Sequence, residues 1–372
     1  MTKYTHIFKL TQKIKATLMK YNILPKLYII PLLALISFII SCKKDSLETK
    51  PTNFLKGWEI EQTNLNFDIN YRDIFFINSD IGFIVGYNGN IYKTNNAGKA
   101  WQKQVSNTTL HLYSVFFLNE NIGFIGGQAM NCLDSDCGSG SVFLKTTNGG
   151  ETWTKTFFKD YNKIYSLNFF DESNGLALID TPDKPNSRDY YIARTSDGGK
   201  SWKFIDLPIK PTYDKFYFID NTVLVAGENQ KIFKSTDFGN SWESISTPVP
   251  IFNDIRNIYF YNKNIGFVDG VTNFYKTTNG GLTWAIYPSP SVGGTFHFYN
   301  EKEGFNIKSS SQYEGGDFPT FKGSVSYQTF DGGASWKESE LNNSFYIGLT
   351  YFPQRDLGYG ISGKKFFTIK NK

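Results

Sequence analysis

Six octapeptides along this chain share one pattern: TNNAGKAW (94–101), TTNGGETW (146–153), TSDGGKSW (195–202), STDFGNSW (235–242), TTNGGLTW (277–284) and TFDGGASW (329–336). Ser or Thr stands first, Asn or Asp third, Gly fifth and Trp last. The third residue (Asn96, Asn148, Asp197, Asp237, Asn279, Asp331) carries a short side-chain oxygen suited to accept hydrogen bonds from N–H groups of its own turn. Gly at the fifth position permits a positive φ. The Trp residues (Trp101, Trp153, Trp202, Trp242, Trp284, Trp336) open an outgoing strand, with the ring laid over the hairpin. One octapeptide says little. Six of them, with Trp-to-Trp spacings of 52, 49, 40, 42 and 52, define an internal repeat.

A second unit fills each interval: an aromatic-rich run, a short turn, then Gly-aromatic and a further apolar run. Examples are DIFFINSDIGFIVG (73–86), SVFFLNENIGFIGG (114–127), NIYFYNKNIGFVDG (257–270) and TFHFYNEKEGFNIK (295–308). The copy at 215–227, KFYFIDNTVLVAG, lacks the Gly, and a last copy, LTYFPQRDLGYGIS (349–362), follows the sixth octapeptide. Seven such hairpins stand against six octapeptides. Trp58, in GWEIEQ, precedes the first hairpin as each octapeptide Trp precedes the next, so hairpins and Trp strands are out of phase. An N-terminal strand that completes the last sheet restores the count. The prediction is an all-β, seven-bladed β-propeller of four-stranded blades over residues 57–372, ~45 residues per blade. A linear solenoid would need polar capping repeats and leaves the phase shift unexplained.

Composition agrees. Of 372 residues 17% are aromatic and 33 are Gly, a mixture suited to sheet and tight turns. With 40% hydrophobic and 20% charged residues, a disordered chain and a polytopic membrane protein are both excluded. The net charge of +5 comes from residues 1–41, which hold six Lys and no Arg, Asp or Glu; the remainder has 33 Lys+Arg against 34 Asp+Glu. No nucleic-acid partner is implied. The apolar run LYIIPLLALISFII (27–40) has 14 residues, too few at ~1.5 Å each to cross ~30 Å of hydrocarbon. Behind Lys20 and Lys26 it has the form of a secretory signal, with Met19 as the start that gives an ordinary leader length. The segment Ile39-Ile40-Ser41-Cys42 resembles the lipobox of bacterial lipoproteins. That resemblance implies a signal peptide over 1–41 and acyl chains on Cys42 that anchor the chain to a membrane. Residues 42–56 then form a polar tether. Lys43 after the Cys resembles lipoproteins sent to the outer membrane. Cys132 and Cys137, in NCLDSDCGSG, fit a disulfide in an exported chain. A metal site adding Asp134 and Asp136, with soft and hard ligands mixed, is the alternative.

The octapeptides match the Asp-box, also called the BNR repeat (S/T-x-D/N-x-G-x-T/S-W). Joined with the hairpins as G-F-x-x-G … I-Y-K-T-x-D/N-G-G-x-T-W over residues 57–372, they resemble the photosystem II stability/assembly factor family of chloroplasts and cyanobacteria, which has exported homologues in other bacteria. The resemblance implies a non-catalytic propeller. Photosynthetic members bind a membrane-protein precursor and carry a basic client-binding patch, whereas this chain has only five Arg (Arg72, Arg188, Arg194, Arg256, Arg355). Asp-boxes also occur in sialidases, in sortilin and in some endoglucanases, whose sites lie elsewhere, so the box is a folding device. A sialidase implies three clustered Arg, a Tyr nucleophile with a Glu partner and an Arg-Ile-Pro motif; that motif is absent.

Octapeptide turns join strands three and four of each blade and share one face; turns from strand two to three lie on the other. Three of the latter are long: QAMNCLDSDCGSGS, DTPDKPNSRDY and KSSSQYEGGDFPTFKGS. Long loops on a rigid scaffold are where binding resides. These hold Asp183, Lys184, Arg188, Asp189, Tyr190, Tyr313, Asp317, Phe318 and Phe321. Alignment of the seven first strands puts Arg72, Tyr113, Tyr165, Lys215 and Arg256 at equivalent positions near the channel mouth on that face, with Gly294 and Gly348 in the other two. Such a ring suits a carboxylate, a sugar or a peptide terminus. Its plainer role is to cap strand ends and pair with Asp73, Asp214 and Asp254.

Catalysis has little support. Outside the leader the histidines are His111 and His297, HExxH and GxSxG are absent, and phosphate-loop and dinucleotide motifs do not occur. No catalytic residue, cofactor or metal is assigned. His297, in TFHFYN, reads as a packed or channel-lining residue. The combined expectation is an exported, lipid-anchored, monomeric propeller at the cell envelope, on the outer membrane, that binds a protein or glycan partner. The alternative is a carbohydrate-active hydrolase using carboxylates such as Asp183, Asp189 and Asp317.

Overall fold

The structure is a computed structural model that describes residues 58–66, 71–129, 140–180, 191–205, 207, 217–219, 221–226, 231–246, 255–270, 273–288, 295–298, 300–312, 320–340, 349–354, 357–362 and 365–371. The chain divides into two compact units, Met1–Thr52 and Asn53–Lys372, and every described residue belongs to the second.

That unit is all-β with a propeller-like arrangement. Its strands are β1 (Trp58–Asn66); β2 (Tyr71–Phe76), β3 (Gly82–Gly86), β4 (Ile91–Thr94), β5 (Gln102–Gln104); β6 (His111–Phe117), β7 (Gly123–Ala129), β8 (Gly140–Thr146), β9 (Thr154–Phe158); β10 (Lys163–Phe169), β11 (Gly175–Asp180), β12 (Tyr191–Thr195), β13 (Lys203–Ile205); β14 (Tyr217–Ile219), β15 (Thr222–Ala226), β16 (Lys231–Ser235), β17 (Glu243–Ser246); β18 (Ile255–Phe260), β19 (Gly266–Gly270), β20 (Phe274–Thr277), β21 (Ala285–Tyr287); β22 (Thr295–Phe298), β23 (Gly304–Gln312), β24 (Thr320–Thr329), β25 (Lys337–Glu340); and β26 (Leu349–Gln354), β27 (Leu357–Ser362), β28 (Lys365–Asn371). Five sheets have four strands, and β6–β9 join β10–β13 in an eight-stranded sheet through one pair, Lys163 with Gln128. Among the described strands the first pairs antiparallel with the last, β1 on β28, with Trp58 opposite Asn371.

The Gly-aromatic signal has a packing cause. In five hairpins the Gly that opens the second strand faces the ring ending the first: Gly82 and Phe76, Gly123 and Phe117, Gly175 and Phe169, Gly266 and Phe260, Gly304 and Phe298. A Cβ on Gly123 would stand 2.4 Å from the Phe117 ring, closer than any real contact. Where Thr222 replaces the Gly, the opposing residue is Ile219 rather than an aromatic.

The octapeptide turns are held by their own side chains. Thr146 Oγ1 accepts from the Gly150 N–H (2.9 Å) and donates to Asn148 Oδ1 (2.9 Å), which also accepts from the Thr152 N–H (3.0 Å). The same three bonds recur at Thr94, Thr195, Ser235, Thr277 and Thr329. The closing Trp packs edge-on against the ring that ends the first strand: Phe76–Trp101, Phe117–Trp153, Phe169–Trp202, Phe260–Trp284 and Phe298–Trp336, all near 6 Å between centroids. These five pairs add buried aromatic area beneath their turns; Trp242, whose first strand ends in Ile219, has no such ring to meet.

Successive four-strand groups are stitched by polar contacts between their first strands. Tyr351 Oη donates to the Phe76 carbonyl (3.0 Å), joining β26 to β2, although the residues lie 275 positions apart. The Val115 N–H donates to Asp73 Oδ2 (3.0 Å) between β6 and β2, and the Leu167 N–H to Ser114 Oγ (3.2 Å) between β10 and β6. The Tyr217 hydroxyl donates to the Phe260 carbonyl, and Tyr259 Oη to the Phe298 carbonyl (3.0 Å). On the octapeptide face Lys93, Lys234 and Lys276 each reach the next sheet's turn, donating to the carbonyls of Gly149 (2.9 Å), Gly280 (3.0 Å) and Gly332 (2.7 Å).

Candidate functional site

Four residues of the aligned set share a backbone feature absent from the motif reading. Pairing between first and second strand slips between Tyr71 and Asp73, Leu112 and Ser114, Ile164 and Ser166, and Ile255 and Asn257. Arg72, Tyr113, Tyr165 and Arg256 are therefore each the extra residue of a β-bulge. A bulge re-aims its side chain out of the pleat, and its recurrence in four first strands makes a repeated presentation device.

Three of the bulge residues come together. The Arg72 guanidinium lies over Tyr87 (4.6 Å to the ring centroid) and Tyr113 (5.2 Å). Lys163 Nζ sits between Tyr113 (3.7 Å) and Tyr165 (3.8 Å). The order Tyr87, Arg72, Tyr113, Lys163, Tyr165 is a ladder of alternating rings and cations across three consecutive first strands. Each stacked cation is restrained by about 0.5–1 kcal/mol at an exposed site. Both cations contact the Tyr113 ring. They line a cavity of about 430 Å³ with Asp73, Ser114, Ser166, Asn168, Phe116 and Tyr351. Asp73 is its one carboxylate among the described residues, and it accepts the N–H groups of Ile74 (3.0 Å) and Val115 (3.0 Å). Burial pushes the Tyr113 hydroxyl's pKa up, against the opposing pull of Arg72. Tyr351 is pushed up to about 12 by burial and by the Asp73 charge. Both tyrosines stay neutral donors at any physiological pH. The arrangement sets two cations, Arg72 and Lys163, along the lining of one cavity, where they can hold an anionic group.

Lys163 and Tyr87 escaped the sequence reading. The signal for Lys163 is its place two residues before Tyr165, as His111 stands two before Tyr113. Tyr87 follows β3 directly, in a 3₁₀ turn at Tyr87–Gly89. Arg256 lies on β18, but its side chain is outside the described residues, as are those of Lys215, Arg188, Tyr190, Tyr313 and Phe318. Cys42, Cys132 and Cys137 and the carboxylates Asp183, Asp189 and Asp317 also fall outside them. His297 packs beside Tyr259 (6.0 Å) and Phe305 (5.7 Å), and burial pulls its pKa down to about 4. Among the described residues no cluster of His, Cys, Asp and Glu has a metal-holding arrangement.

Comparisons with known proteins follow the same lines. The family described as photosynthesis system II assembly factor YCF48 matches residues 46–136 and 186–325, more than half of the chain. The structure of YCF48 bound to D1 peptide is similar with a TM-score of 0.63 at 15% identity, over 85% of this chain and 97% of that one. YCF48 from Cyanidioschyzon merolae gives 0.60 at 14%, over 84% and 99%. A GH74 xyloglucanase from Xanthomonas campestris gives 0.59 at 12%, over 84% of this chain but 54% of that one. At such identities these likenesses speak for the fold alone. No protein of curated function matches the sequence. On the family match, the chain belongs to the photosystem II assembly factor YCF48 family of repeat proteins.

Proposed function

We propose that this chain is an exported, lipid-anchored, seven-bladed propeller that performs no chemistry and binds a segment of a partner protein at the mouth of its central channel. One observation carries the reading: the Arg72–Tyr113–Lys163–Tyr165 ladder, two cations lining a cavity in which the one carboxylate among the described residues is engaged by backbone N–H groups. A peptide terminus or acidic side chain is the group such a pair holds. The structural neighbour bound to D1 peptide supports a peptide as ligand, within a family this chain belongs to. Blade closure by β1 on β28 and the Tyr351–Phe76 bond support a ring of seven. The lipobox at Cys42 supports anchoring at the cell envelope, and the tether at 42–56 gives the propeller reach.

Affinity capture from envelope extracts tests this. The wild-type protein is expected to retain a partner that Arg72→Ala and Lys163→Ala variants lose by tenfold or so, about 1.4 kcal/mol. Equal retention by all three would sink the site. The GH74 neighbours favour a second reading, a glycoside hydrolase. Turnover on a glycoside panel, abolished by Asp183→Asn, Asp189→Asn or Asp317→Asn, would replace the scaffold with an enzyme.

A further inference from the structure

The ladder's outer arm depends on a turn with an unusual backbone. Asn88 has φ 58° and Gly89 φ 67°, and a Cβ on Gly89 would stand 1.8 Å from the Thr108 carbonyl oxygen. Two hydrogen bonds to the segment entering β6 hold this left-handed turn: the Gly89 N–H donates to the Leu110 carbonyl (2.7 Å), and the Asn88 N–H donates to His111 Nδ1 (3.2 Å). The His111 ring lies 4.4 Å from the Tyr87 ring, and Tyr87 carries Arg72 on its face.

From this geometry we infer that His111 is the positioning residue for the Tyr87–Arg72 arm, and that its protonation releases the arm and weakens the grip on an acidic ligand. The inference rests on the ladder being the binding site. Nδ1 accepts the Asn88 N–H only while unprotonated; a proton there sets donor against donor. Arg72 faces His111 from β2, with Tyr87 on the turn and Tyr113 two residues along β6. Gln128 on β7 is the register partner of both His111 and Lys163 of β10. The Gln128 amide reaches Asn162 (3.5 Å), which donates to Asp180 of β11 (3.1 Å). Lys155 of β9 donates to the Asn107 carbonyl (3.4 Å). Burial and the Arg72 charge hold the His111 pKa below its ordinary value, so the turn is intact at neutral pH and opens under acid.

The sign of the effect separates positioning from plain charge. An extra imidazolium beside Arg72 would tighten an acidic ligand as pH falls, whereas loss of the turn loosens it. The probe is a fluorescein-labelled peptide of alternating Asp and Ala with a free carboxyl terminus, titrated at about pH 8 and at a pH below the His111 midpoint read from its own imidazole NMR titration. Wild-type affinity is expected to fall about fivefold on acidification, the worth of one hydrogen bond and the turn it orders. His111→Asn places an amide oxygen near the Nδ1 site and does not titrate, so it should bind well at both values; His111→Phe should bind weakly at both. In the amide NMR spectrum the Asn88 resonance should move with the His111 titration. Tighter wild-type binding in acid, a His111→Asn variant that keeps the fivefold loss, or a static Asn88 resonance overturns the inference. If instead Arg72→Ala and Lys163→Ala bind the probe as wild type does at about pH 8 while Asn88 still tracks His111, the ladder is not the site and the turn switch stands alone.

Discussion

At the scale of single residues, the repeat made some positions legible and hid others. Arg72, Tyr113 and Tyr165 emerge from aligning first strands because the bulge falls at the same place in each, so equal sequence position means equal presentation. Lys163 and Tyr87 do not emerge, since their partners lie on other strands and no period within one strand encodes a contact between sheets. His297 was legible as a packed residue but not as a pH liability. Its pKa sits at about 4 because burial disfavours the imidazolium. Between about 6.5 and that value the unfolded chain binds a proton that the folded chain refuses, so stability falls as pH drops through this window and levels off below it. At 1.36 kcal/mol per unit the loss is about 3 kcal/mol. Asp237, held at about 2 by the Ser241 N–H and hydroxyl, acts only at lower pH. Urea unfolding of His297→Phe should therefore show a flatter profile above about pH 4 than wild type. Parallel profiles for the two proteins would mean that His297 titrates normally in the fold.

Elements follow from pairs of residues rather than single propensities. The hairpin between first and second strands closes because a Gly makes room for a ring, and the sequence obeys the same rule where it breaks the pattern: Thr222 faces Ile219. This predicts coupling. Gly123→Ala should cost about 2 kcal/mol by driving a methyl into Phe117. Phe117→Ile alone should cost about 1–2 kcal/mol, because the ring stacks on Phe83 (4.0 Å) and meets Trp153 (6.0 Å). Together the two changes should cost at least about 1 kcal/mol less than their sum. Simple additivity in that double-mutant cycle would show that the glycine serves backbone freedom instead. The octapeptide Trp rings belong to the same unit, so element identity was legible from motifs alone. The inter-sheet lysine latches at Lys93, Lys234 and Lys276 give a reason for the basic residue that precedes five of the six turns, Gln328 standing before the sixth.

For the whole molecule, the phase shift between hairpins and Trp strands is the feature with the largest consequence. It puts the first and last described strands into one sheet, and β1 on β28 is that junction. Removing residues 1–68 would leave β28 (Lys365–Asn371) as an edge with its outward N–H and C=O groups unpaired, a template for pairing with other chains. Buried residues Phe366, Phe367 and Ile369 on that strand would lose cover from one side. Such a truncated protein is expected to unfold more than about 10 °C below a chain beginning at residue 53 and to associate on size exclusion. Adding a synthetic peptide of residues 58–66 should restore much of the difference by supplying the missing strand in trans. Identical melting with and without β1 would mean that the other strands hold the structure shut by themselves, and that β1 and β28 meet without being needed.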